Sequence, residues 1–66
     1  MISDKAPINT KVEYRPFEDC DKKDSVRGTI VGKVVDDCYP VIMDWQRRYD
    51  SPKPKLLSRY QLYLVN

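Results

Sequence analysis

Cations and aromatic rings are the residues best equipped for chemistry in this chain, and they crowd into one stretch: Trp45, Arg47, Arg48, Tyr49, Lys53, Lys55, Arg59 and Tyr60. Ammonium and guanidinium groups pair with phosphate oxygens, and flat rings stack on bases, so the mixture suits a nucleic-acid surface. Arginine adds a planar fork that can bind phosphate or a guanine edge through two bonds at once. A plainer account competes with this one. Trp45 and Tyr60 could fill a core while the cations keep a proline-containing loop solvated.

A second group is the tyrosines, Tyr14, Tyr39, Tyr49, Tyr60 and Tyr63. A tyrosine ring buries area while its hydroxyl stays wet, which favours protein interfaces. Such rings can line a groove for an extended or proline-rich peptide. A domain this small also needs large rings inside it, so at least two of the five are expected in the core, with Tyr49 the best candidate for exposure.

The acidic set Glu18, Asp19, Asp21, Asp24, Asp36 and Asp37 is only loosely spaced like a calcium loop. It lacks the loop's glycine and its bidentate glutamate, and Lys22 and Lys23 would repel a cation; a solvated loop is the expectation. Histidine is absent, which excludes Ser/His and Cys/His nucleophile pairs. Gly28 and Gly32 lie inside a strand pattern with no helix behind them, unlike a phosphate-cradling loop. The chain therefore reads as a binding module and not an enzyme, with no cofactor and no metal. Cys20 and Cys38 lack the partners of a zinc site, and in a reducing compartment both stay thiols.

The elements that would position these groups are short and extended. Sixty-six residues make one domain with a marginal core. Residues 1–9 read as an N-terminal arm and 10–66 as a single small β domain. Thr10, Val12 and Tyr14 share one face of a period-two strand that Pro16 ends. Residues 17–25 are a charged loop, with Phe17 its one apolar anchor. From Val26 to Val35 apolar residues take both parities, as in one strand bent at Gly28 or Gly32. Asp36-Asp37 signals a turn. Cys38 to Trp45 reads as a central strand with Pro40 near its start. Residues 46–55 form a polar connection with room for a short strand around Lys55-Leu56, residues 57–60 a single helical turn, and Leu62 to Val65 a last strand. No apolar run is long enough to span a bilayer, and the start of the chain has no apolar leader pattern, so the expectation is a soluble, cytoplasmic protein without a membrane partner.

Charge is uneven. Residues 1–37 hold seven basic and eight acidic side chains; residues 38–66 hold five basic and two acidic. All five of those cations lie between Arg47 and Arg59.

Lys11 to Tyr14, then Arg27-Gly28-Thr29-Ile30-Val31, then Tyr39-Pro40-Val41-Ile42-Met43-Asp44-Trp45, then Leu56 and Leu62-Tyr63-Leu64-Val65 together resemble small SH3-like β-barrels of the Tudor and KOW kind. The resemblance covers about residues 10–65. It departs from the family pattern at Thr10, where glycine is common, and it offers no assignable cage of four aromatics. It implies an all-β, five-stranded SH3-like barrel with one short helical turn near residues 57–60. Resemblance to KOW-type barrels leans toward nucleic acid, since many of those bind RNA or nucleoprotein complexes. Two readings stay open. The first is association with nucleic acid or a nucleoprotein complex through Arg47, Arg48, Lys53, Lys55 and Arg59, with Trp45 or Tyr49 for stacking. The second is a protein-binding adaptor or inhibitor using the tyrosines, its size suiting a small bacterial or phage accessory protein. Self-association through the same face is a third possibility.

Overall fold

Alternation of polar and apolar residues around Val12 produces the first strand, β1 (Lys11–Tyr14). The computed structural model describes residues 1–16 and 25–65; the expectations for Phe17, Glu18, Asp19, Cys20, Asp21, Lys22, Lys23 and Asp24 lie outside them. The other strands are β2 (Val26–Ile30), β3 (Cys38–Met43), β4 (Lys55–Ser58) and β5 (Leu62–Leu64). All pairings are antiparallel, in the order β4-β3-β2-β1-β5, and the sheet curls into a half-barrel. The protein is mostly β, and its helical pieces are short 3-10 turns at Asp44–Arg48 and Arg59–Gln61.

Registry decides which side chains face inward. Val12 lies opposite Gly28 and Leu64, Ile30 opposite Val41, and Tyr39 opposite Leu57. The concave face thus gathers Val12, Ile30, Tyr39, Val41 and Leu62, all fully buried, with Ile2 and Met43 beside them. Residues of the opposite parity, Lys11, Glu13, Arg27, Thr29, Ile42 and Tyr63, belong to the outer face.

The turn between β2 and β3 is the one that Asp36-Asp37 signals. Both aspartates adopt positive φ, 50° and 62°, the geometry of a tight two-residue hairpin turn, and Val35 and Cys38 exchange backbone bonds of 2.8 and 2.9 Å. The strand expected from Val26 to Val35 nonetheless stops at Ile30. Between the Ile30–Val41 and Val35–Cys38 pairs, residues 31–34 face only residues 39–40, so the hairpin is bulged. Gly32 sits in that bulge. A Cβ there would come within 2.8 Å of the Pro40 ring, so only glycine lets the chain pass. Pro40 is the third residue of β3, where its carbonyl accepts the Val31 N–H.

Three further expectations need correction. Trp45 is not on the central strand, because β3 ends at Met43 and the chain enters the first 3-10 turn. The helical turn expected at residues 57–60 lies at Arg59–Gln61, since Leu57 and Ser58 still pair with Tyr39 and Cys38. The sheet also does not close. Three-residue β5 pairs with β1 alone, and no β4–β5 pairing joins the two edges.

The N-terminal segment packs beside the connection between β4 and β5 and runs on past β3 to β2. The Ile2 side chain enters the core, its N–H donates to the Arg59 carbonyl (3.0 Å), and its own carbonyl accepts from Arg59 Nη1 (3.2 Å). Farther along, the buried Tyr39 hydroxyl donates to the Ser3 carbonyl (2.6 Å) and accepts the Ala6 N–H (3.0 Å). The segment that reads in sequence as an arm is thus tied to the fold as a strap through Ile2, Ser3 and Ala6. Among the described residues, no helix is long and apolar enough to cross a membrane.

Candidate functional site

The 3-10 turn after β3 is held by its own third residue. Gln46 is buried; its Oε1 accepts the Met43 N–H (2.8 Å) and its Nε2 donates to the Lys53 carbonyl (2.9 Å). One side chain therefore fixes both the turn and the polar connection that follows. With Gln46 turned inward, its neighbours Trp45 and Arg47 are exposed.

Trp45 is 43% exposed, at the lip of a cleft of about 300 Å3 lined by Tyr14, Val26, Met43, Lys55 and Leu57. Lys55 Nζ stands 5.0 Å from the centre of its ring. Arg48 Nε donates to the Trp45 carbonyl (3.2 Å), and Tyr49, 59% exposed, follows on the same loop. The result is a wide apolar ring beside cations, over a slot that can take a flat or apolar group.

The five cations expected to act together do not converge. Lys55 and Arg48 attend Trp45, and Lys53 is exposed on the loop held by Gln46. Arg47 turns to the outer sheet face, where its Nη2 donates to Thr29 Oγ1 (2.9 Å). Arg59 is committed to structure: it binds Asp37 Oδ1 (2.9 Å) and the Ile2 carbonyl, and lies 4.5 Å from the Tyr60 ring centre. The Asp37 hydrogen bond holds its pKa above the ordinary arginine value.

The tyrosines are dispersed as well. Tyr39 is core, Tyr14 packs against the core and lines the cleft, Tyr60 is exposed beside Arg59, and Tyr63 lies on the outer face with Arg15 4.4 Å from its ring centre. Only Tyr14, and Tyr49 through the loop, belong with Trp45.

Sequence reasoning passes over four residues that shape this region. Gln46 looks like part of a polar connection, and Lys11, Arg27 and Thr29 look like the solvent side of strands. The parity of β1 was the available signal, since it puts Lys11 on the face away from Val12; the register that sets Lys11 opposite Thr29 is a feature of the fold. Glu13 also lies on this face. The Ser25 hydroxyl donates to one of its oxygens and Arg15 to the other (3.0 Å), and these bonds hold its carboxyl below the usual carboxylate range. Cys38 is a free thiol, and no group of three metal-ligating side chains gathers among the described residues. No protein-family model matches the chain, and neither a curated protein nor a solved structure matches it.

Proposed function

We propose that this domain is a non-enzymatic binding module for single-stranded nucleic acid, alone or within a nucleoprotein complex. One observation carries the reading: an exposed indole at the lip of an apolar cleft, with Arg48 and Lys55 in contact with its own residue. A base stacked on Trp45 would leave its flanking phosphates to Arg48, Lys53 and Lys55. Stacking tolerates any base, so the reading implies weak sequence preference. An SH3-like assignment of the half-barrel draws support from the strand order and the short turn before the last strand.

Trp45 is the single tryptophan, so its fluorescence reports the site directly. Titration with a thymidine oligonucleotide should quench it. With three phosphate contacts, affinity should fall roughly twentyfold between about 50 and 200 mM salt. Trp45→Ala, followed by anisotropy of a labelled oligonucleotide, should cost about 1–3 kcal/mol of binding. No quenching at low salt would overturn the reading.

A protein partner is the second reading, favoured by the apolar lining that Tyr14, Val26, Met43 and Leu57 give the cleft. An extended peptide seating an apolar side chain there would shift Trp45 emission to the blue, with little dependence on salt.

A further inference from the structure

We propose that Lys11, Thr29 and Arg47 form a seat for one phosphate-type oxoanion on the outer face of the sheet. Lys11 Nζ donates to Thr29 Oγ1 at 3.0 Å, and Arg47 Nη2 donates to the same oxygen at 2.9 Å. Because both bonds end on one atom, the two cationic nitrogens lie no more than about 6 Å apart. Two full positive charges thus share a neutral acceptor, an arrangement whose mutual repulsion an anion would relieve.

The surroundings supply little compensation. Among the described residues, the one carboxylate paired with either cation is Asp44, 4.0 Å from Arg47 Nε and itself more than half exposed. Arg27 adds a further charge on the same face, two residues before Thr29 on β2. Glu13, opposite Arg27, is engaged by Ser25 and Arg15.

The donor chemistry fits the ligand. Thr29 is 3% exposed, and its hydroxyl has spent both lone pairs on the cations, so it can only donate further. The ammonium of Lys11 retains further N–H groups, and the guanidinium of Arg47 presents a planar fork, half exposed, that matches two oxygens of a tetrahedral anion. The positions are fixed by the fold: Lys11 and Thr29 are a cross-strand pair of β1 and β2, and Gln46 anchors the turn that carries Arg47. None of the three residues lines the Trp45 cleft, so the seat does not depend on base stacking. A phosphodiester of a bound strand and free inorganic phosphate offer the same oxygens.

The test uses the full 15N-labelled chain, titrated with inorganic phosphate and, separately, with sodium chloride at matched ionic strength. Phosphate should move the Lys11 and Thr29 amide signals and the Arg47 side-chain signal saturably, and chloride should not. Lys11→Gln and Arg47→Gln should each weaken that binding tenfold or more, while Lys33→Gln, at an exposed lysine elsewhere, leaves it unchanged. The same spectra report whether each variant is folded. Adding a thymidine oligonucleotide without terminal phosphate then separates the sources. Displacement of phosphate assigns the seat to a strand backbone, and retained phosphate assigns it to the free anion. A failed Trp45 quench with saturable phosphate binding would remove the stacking site and leave the seat. Linear shifts equal to those in chloride, or folded Lys11→Gln and Arg47→Gln variants that titrate like the parent chain, would overturn it.

Discussion

Replacing Tyr39 by phenylalanine removes one oxygen and tests whether the N-terminal segment is part of the fold. The ring stays in the core, where it is 1% exposed, so packing is preserved. What disappears is the 2.6 Å bond to the Ser3 carbonyl and the 3.0 Å bond from the Ala6 N–H. Both backbone groups are then left facing an apolar ring. An unsatisfied buried donor or acceptor costs about 1–3 kcal/mol, and water can reach part of this segment, so a total near 2 kcal/mol is expected. A domain of this length has a stability of only about 3–10 kcal/mol, which makes that loss a large fraction. It corresponds to a drop in Tm of about 8–16 °C. Urea unfolding followed by circular dichroism gives the free energy, and hydrogen exchange at the Ala6 amide gives the local effect. The Ala6 amide should lose protection before the β2 and β3 amides do. Ile2→Ala should cost about 2–5 kcal/mol through the core, and combining the two should be less than additive because both act through one segment. If Tyr39→Phe unfolds at the parent urea midpoint and Ala6 keeps its protection, the strap is not held by that hydroxyl.

Other perturbations probe the remaining positions. Gly28→Ala would set a Cβ within 2.7 Å of Val41 Cγ1 and 2.9 Å of the Ile42 carbonyl, the latter backbone that cannot swing away, so a loss of about 1–3 kcal/mol should appear in urea unfolding. Gln46→Leu keeps the volume but strips the Met43 N–H and the Lys53 carbonyl of their partner; it should destabilise by about 2 kcal/mol and change the emission of Trp45, and unchanged emission would mean the turn is held by something else. Glu13 has a folded pKa below its reference value of 4.5, so it stabilises the fold above that pH and loses the contribution as pH falls through the lower, folded value. Glu13→Gln should therefore flatten the acid limb of a stability–pH curve, and an unaltered limb would refute the assignment.

The β character of the chain is legible because it depends on local pattern. Alternation around Val12, the Asp36-Asp37 turn and the glycine in the bulge are each decided by a few adjacent residues. Closure of the barrel is a different kind of question. It depends on contacts between distant parts of the chain: whether β4 meets β5, and where the N-terminal segment docks, which Arg59 sets through Ile2 and Tyr39 through Ser3 and Ala6. No spacing rule encodes such a contact. The misplaced Trp45 has a similar origin. Its apolar neighbours Val41, Ile42 and Met43 extend the strand pattern toward it, but Gln46 offers the Met43 N–H an acceptor within the turn, and the chain leaves the ladder there.

The same distinction explains the candidate surface. Grouping cations by sequence proximity gathered Arg47, Arg48, Lys53, Lys55 and Arg59, yet Arg59 is drawn away by Asp37 in the β2–β3 turn. Strand pairing and the turn after β3 gather cations by a different rule: Lys11 lies thirty-six positions before Arg47, and both donate to Thr29. Charge in a sheet protein is organised across strands more than along them, because cross-strand neighbours lie about 5 Å apart while residues several positions along an extended strand are much farther. An antiparallel meander with one anchored turn can therefore build a focused positive site from residues that no linear charge count would associate. Here that rule brings Lys11 and Arg47 together at Thr29, on the outer face of β1 and β2.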